Sequence, residues 1–461
     1  MNQTIGHQLD RLSVGKVQQR ATAVIGMGLF FEFFELFLAG VLSSVLGEEF
    51  HVSTSLMPLL LGSSFLGMFI GAIFLCHIAD RYGRKRAFML NIGIYSLFTI
   101  FIAFSPNVGT VIFFRFLSGM GLSAQPALCD TYLSELIPSV KRGKYIAWAY
   151  TLGFLAVPVE GFLSRVLVPL SPMGLDGWRW VFLLGAAGGV FVLIAARTLP
   201  ESPRWLATKG RMQEAVALLE RFQEGKKEAG MVSKLQPEPA DQMPKGSTLS
   251  AVFQKRLWKS TVMLYIFQIF QTIGYYGFGT LAPLVLASKG YTVTHSLEYI
   301  ALSFIGYPLG SLLSVPLIEK MDRKWLVCFS AVCMGVFGVL FGIGGSPFLV
   351  IVFGFAYTLC SNIFSNAFHV LQAEIFPTEI RASATGMAYS ISRIMSGLMP
   401  FMLLPVLENE GATAMFIIVA IAMLIVVLDI GLLAPKTTGR SLENIESLSE
   451  PQLFGKNRVH L

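Results

Sequence analysis

Glu32 and Glu35 stand three residues apart in FFEFFELFLAG, a stretch otherwise without a charged or polar side chain. That spacing projects both carboxyls from one face of a helix. Two carboxyls on one low-dielectric face cannot both ionise cheaply, so proton carriage is the chemistry such a pair offers. Arg115, in VIFFRFLSGMG, and Arg393, in ISRIMSGLMPFM, are guanidinium groups in equally apolar settings. Arg393 has no acidic neighbour in sequence and requires a carboxylate from another helix or an anion from solution. Its fork matches a carboxylate bidentately, which points to an anionic ligand. In IFQIFQTIGYYGFGT, Gln268 and Gln271 share a face, with Tyr275 and Tyr276 following, a set of amides and phenols suited to a small ring-bearing ligand. Asn362, Asn366 and His369 form a second polar stripe at helical spacing, although an Asn or His there could equally bond to a neighbouring helix.

The elements that must position these groups follow from composition. Of 461 residues, 54% are hydrophobic and 14% charged, against about 25% charged in soluble domains. The chain is therefore an all-α membrane protein. Runs of about 20 mostly apolar residues, the length that crosses a bilayer, occur near 20–45, 56–79, 87–105, 108–134, 144–168, 178–198, 260–287, 297–318, 325–344, 347–373, 382–406 and 412–433. These are twelve predicted spans. The polar opening segment is not followed by a small-residue cleavage site, so the first span is expected to be permanent. Thirty of the 35 Lys and Arg fall in alternate loops if both termini are cytoplasmic, which sets the orientation and removes the nucleic-acid reading of the +7 net charge. Sparse outer charge and short outer loops suit a bacterial inner membrane.

Several polar loop residues recur at a constant offset of 239, the mark of an internal duplication. Asp80, Arg84 and Lys85 in DRYGRKR map onto Glu319, Arg323 and Lys324, while Glu135, Pro138 and Arg142 map onto Glu374, Pro377 and Arg381. With Arg81, these loops would form a cytoplasmic gate whose ion pairs clamp two halves together and then release them. The halves are assigned as two pseudo-symmetric six-helix bundles over 1–198 and 259–435, joined by a 199–258 linker and followed by a 436–461 tail. Within the linker, Ala215, Leu218, Leu219 and Phe222 mark an amphipathic helix. Two repeats about an axis along the membrane normal are a transporter architecture, with substrate near the midplane.

At these residues the chain resembles the major facilitator superfamily over essentially its whole length. DRYGRKR resembles the loop signature after helix 2, and RFLSGMG the helix 4 signature. PESPRWL, EIFPTEIR and PKTTGRSLENIE resemble the sugar-porter and organic-ion branches. FFEFFELFLAG is similar to the paired acids of helix 1 in bacterial metabolite and aromatic-acid proton symporters, where Asp is usual. The resemblance implies that helices 1 and 4 line the cavity and that a helix 1 acid and Arg115 form a proton-linked switch.

No Gly-rich phosphate loop, H-E-x-x-H or paired C-x-x-C is present, so neither an enzyme, an ATP-driven pump, a metal nor a cofactor is expected. The five Cys lie in apolar stretches without ligand spacing. The reading is a monomeric secondary transporter importing a small organic anion, an aromatic or heteroaromatic acid such as nicotinate, with protons. Its rivals are a sugar or polyol symporter, an organic-cation carrier or exporter, and a membrane sensor on the same scaffold.

Overall fold

The computed structural model describes residues 5–123, 125–223, 257–375 and 378–434. The side chains of Asp80, Glu319, Glu374 and Arg381, all expected at the gate, lie outside the described residues. The described secondary structure is helical throughout. The membrane helices are α1 (Lys16–Val41), α2 (Met57–Tyr82), α3 (Arg84–Ala103), α4 (Val108–Leu136), α5 (Lys141–Leu167), α6 (Gly177–Ala196), α7 (Trp258–Ser288), α8 (Val293–Ile318), α9 (Arg323–Ile343), α10 (Pro347–Ile375), α11 (378–410) and α12 (412–433). The last two are separated by Gly411 at φ 84°, a left-handed conformation that glycine adopts without a Cβ penalty. Helix starts follow their capping residues: Asn107, Thr292 and Asp322 each accept a backbone N–H from the first turn, satisfying one orphan donor.

Twelve such helices form two six-helix bundles, and burial shows which of them carry the site. In α1 and α7, 83% of the most apolar window is buried, against 39% in α6. The first helix of each half is therefore central. Phe74, Phe191, Ile194, Phe329 and Leu432 lie exposed on the rim, as a lipid-facing surface requires.

The bundles meet along α1–α7, α2–α11 and α5–α8. At the end away from the linker, small residues seal all three seams. A Cβ on Gly40 would come within 2.8 Å of the Gly279 carbonyl oxygen, one on Gly161 within 2.8 Å of Ala301 Cβ, and one on Gly62 would collide with the Gly397 carbonyl. Backbones this close let dispersion hold helices that gain no hydrophobic energy from each other in lipid.

At the linker end, helix Met212–Gln223 buries Ala215, Leu219 and Phe222 while Leu218 is half-buried. It packs with helix Ile5–Arg11 and the start of α1, and Arg204 lies 3.7 Å from Asp10. Arg84 Nε and Nη2 donate to the Glu135 carboxylate at 3.0 Å each, and Nη1 donates to the Ala79 carbonyl at 2.9 Å. Among the described residues the Glu135 pair ties α4 to the α2–α3 turn of its own bundle. Positive φ at Gly83, 105°, forms that turn, and Glu201 accepts the backbone N–H groups of Arg84 and Lys85 at 2.9 and 3.2 Å. Arg142 interacts electrostatically with Arg204 and Asp10, Arg81 is exposed, and Arg323 opens α9.

Candidate functional site

The α1 acids are both buried, yet the fold sends them to different partners. Glu35 accepts a hydrogen bond from Ser118 Oγ at 3.2 Å and interacts electrostatically with Arg115 on α4. One turn deeper, Glu32 faces Arg393 on α11 and Asp130 on α4, and neither of its carboxyl oxygens has a hydrogen-bond partner among the described residues. The i, i+3 spacing put the two on one helix side. The guanidinium of α4 acts on Glu35 and that of α11 on Glu32, which separates their charges into two stations, with Tyr95 of α3 within the field of both.

Arg393 is 2% exposed. A guanidinium at membrane depth costs about 2.5–3.5 kcal/mol on insertion scales, so its surroundings must offset that. Its Cζ lies 4.7 Å from the Tyr389 ring centroid and 5.7 Å from that of Tyr276, and Nη1 donates to Tyr276 Oη at 3.2 Å. Desolvated cation–π contacts contribute about 2 kcal/mol. Nε has no hydrogen-bond partner among the described residues.

Against these tyrosines lies a cavity of about 20 Å³ lined by Phe267, Gln268, Gln271, Tyr275, Tyr276, Phe364, Ser365, Phe368, His369 and Tyr389. A water needs about 10–15 Å³ on this measure, so the conformation is closed around the site. Phe267 stacks on Phe368 at 3.3 Å between centroids. Gln271 Nε2 donates to Gln268 Oε1 at 3.1 Å and to Ser392 Oγ at 3.3 Å, holding α7 to α11. The cavity is an aromatic box with amide corners.

Of the residues predicted from sequence, Gln268, Gln271, Tyr275, Tyr276 and His369 line the cavity, and Arg393 stands behind its two tyrosines. Asn362 and Asn366 do not line it. Asn362 Nδ2 donates to the Tyr307 carbonyl at 2.5 Å, and Asn366 Nδ2 donates to Ser314 Oγ at 2.8 Å, so both fasten α10 to α8. Adjacent faces of α10 carry these two jobs, and the stripe Phe364, Ser365, Phe368, His369 is the one turned to the cavity. Tyr389 escaped the sequence reading, although its position four residues before Arg393 was a usable signal. Asp130 on α4 also interacts electrostatically with Glu32, and its Oδ2 accepts Tyr150 Oη–H at 3.2 Å.

A family profile described as "Sugar (and other) transporter" matches residues 15–448. The chain belongs to that family. It is a membrane transporter of the major facilitator superfamily and not an enzyme. The chain is 34% identical over 389 residues to the putative metabolite transport protein YyaJ of Bacillus subtilis (strain 168), covering 84% of this chain and 85% of that one. It is 26% identical over 442 residues to the niacin transporter NiaP of Acinetobacter baylyi, covering 95% and 98%. Among solved structures, the partially occluded inward-open conformation of the xylose transporter XylE from E. coli superposes with a TM-score of 0.76 at 19% identity, over 93% of this chain and 100% of that one. At that identity the likeness concerns the fold.

Proposed function

We propose that this transporter imports a small aromatic or heteroaromatic carboxylate, of the nicotinate type, together with protons, across a bacterial inner membrane with both termini cytoplasmic. The observation that carries the reading is the position of Arg393, a buried guanidinium whose Nε has no hydrogen-bond partner among the described residues, set between an α1 carboxyl and an aromatic cavity. A substrate carboxylate and ionised Glu32 compete for that one cation. Binding the anion therefore favours a proton on Glu32, because two carboxylates on one buried guanidinium leave a net charge in the membrane. Proton and substrate then bind best together, which is the requirement for symport.

The first helix of each half divides the work. α1 carries the i, i+3 pair of acids, and α7 carries the i, i+3 pair of amides. Glu35, Arg115 and Glu32 handle protons, while Gln268, Gln271, Tyr275, Tyr276 and His369 surround the ring once the bundles rock and the cavity widens. The niacin transporter relative supports the acid reading. A sugar symporter is the second reading, favoured by the Gln268–Gln271 amides and by the arabinose-proton symporter of Bacillus subtilis, 25% identical over 429 residues.

Thermal stabilisation of the purified protein by a panel of aromatic acids, sugars and quaternary amines separates these readings, since a ligand that binds only the folded state raises the Tm by mass action. The acid reading expects a shift with nicotinate or benzoate that Arg393→Ala abolishes. A shift with pentoses or quaternary amines alone sinks it.

A further inference from the structure

We infer that Glu160 on α5 is a second proton-binding carboxyl of the transport cycle, one that shares the Arg115 guanidinium with Glu35; the inference rests on the proton-coupled reading above. Glu160 is 0% exposed and both its oxygens lack hydrogen-bond partners among the described residues. Arg115, 1% exposed, interacts electrostatically with Glu35 and with Glu160, and the two carboxyls interact with each other. One guanidinium thus serves two buried carboxyls.

Charge balance assigns the proton. Two carboxylates against one guanidinium leave a net negative charge in the membrane interior, which the bilayer penalises strongly. One proton on the set makes it neutral. Glu35 accepts the Ser118 hydroxyl, a donor that favours the ionised form, whereas no described residue donates to Glu160. In this conformation the proton therefore sits on Glu160 and the charge on Glu35.

The other groups around Glu160 do not change this balance. On its own helix Ser164, one turn on, is a buried hydroxyl. On α6, Arg179 is engaged by Asp176 at 2.9 Å and by the Ala103 and Ser105 carbonyls. On α8, Glu298 pairs with Arg165 at 3.4 Å and lies 3.8 Å from His295, all partly exposed.

Position gives the carboxyl its role. The next residue, Gly161, forms the α5–α8 seam against Ala301, and separation of the bundles at that end parts this seam. Glu160 then meets external water before Glu35, which lies on the central helix α1. When Arg115 turns from Glu35 to Glu160, the Glu160 O–H bond breaks, the proton passes to Glu35, and the guanidinium covers the new Glu160 carboxylate. The set stays neutral and holds one proton through this transfer. As Arg115 returns to Glu35, Glu35 gives up its proton towards the interior and Glu160 takes one from the outside water, so the set ends the cycle with one proton again.

Infrared spectroscopy of the purified protein tests this without any substrate. A protonated buried carboxyl shows a C=O stretch that a carboxylate and an amide lack, and the inference expects Glu160→Gln to remove such a band that Glu35→Asp, which keeps the second carboxylate, leaves at its place. A band unchanged in Glu160→Gln overturns it. Should Glu160→Gln fail to fold, Glu160→Asp keeps the acid and must shift the band, and an unshifted band again overturns the assignment. In proteoliposomes, Glu160→Gln is expected to cut uphill accumulation of nicotinate under an imposed pH gradient at least about tenfold more than it cuts exchange at equal concentrations, a ratio within ordinary coupling energies. Equal losses in the two assays overturn the coupling role. A wild-type protein that binds no aromatic acid sinks the substrate reading, while the infrared band still decides Glu160.

Discussion

Replacing Glu32 with Gln removes the internal competitor for Arg393 and so probes the coupling directly. In the structure Arg393 Nε has no hydrogen-bond partner among the described residues, Glu32 interacts electrostatically with the guanidinium, and the Tyr276 and Tyr389 rings of the cavity pack against it. A carboxylate that accepts from Nε gains a charge-assisted hydrogen bond of about 1.5–3 kcal/mol. At about 1.4 kcal/mol per tenfold, that is roughly 10- to 150-fold in Kd. In the wild type this gain is withheld whenever Glu32 is ionised, so affinity for nicotinate falls as pH rises through the titration of Glu32. In Glu32→Gln the side chain remains polar and nearly isosteric but cannot ionise, and the affinity at alkaline pH is expected to rise toward the acid-limit value and become independent of pH. The same variant should lose uphill accumulation while still exchanging substrate. Isothermal titration over a pH series, with nicotinate as ligand, measures both the affinity and its slope. Weaker binding in Glu32→Gln, or an undiminished pH slope, would refute the shared-cation reasoning.

Arg393→Lys keeps the charge and loses the fork, and it is expected to weaken acid binding about tenfold, against about a hundredfold for Arg393→Ala; dissociation constants by the same titration check this. Asn362→Ala removes the bond from α10 to the Tyr307 carbonyl and should cost roughly 0.6–1.7 kcal/mol of stability, seen as a lower Tm with ligand affinity unchanged. Gly62→Leu forces the α2–α11 seam apart at Gly397, and transport should stop while the far side stays open to thiol reagents at cysteines introduced nearby; protection equal to that of the parent would contradict the seam. Arg84→Ala leaves Glu135 without its partner at the α2–α3 turn. A loss of about 1 kcal/mol is expected for this partly exposed pair, with unfolding measured at low and high salt.

Twelve apolar runs, the basic loops and the fixed repeat offset made the architecture legible before any coordinates, because bilayer thickness imposes a span length that sequence cannot disguise. The chemistry-bearing groups were legible for the same reason, since a charged side chain inside an apolar run is costly and stands out. Partnership was not legible. Glu32 and Glu35 read as one pair on one helix face, and only the placing of α4 and α11 in the fold divides them between Arg115 and Arg393. Glu135 read as a clamp between halves, and only the fold of the α2–α3 turn gives it to Arg84. Asn362 and Asn366 read equally as cavity lining or as bonds to a neighbouring helix, and only the position of α8 gives them the second, while Tyr389, Asp130 and Glu160 acquire meaning from helices distant in sequence. The sequence by itself determined the number of helices, their membrane setting and which residues had to be compensated, because those depend on the solvent around each helix. Which residue compensates which was decided by tertiary structure alone, because electrostatics and hydrogen bonds act over a few ångströms between helices that the chain order does not place side by side.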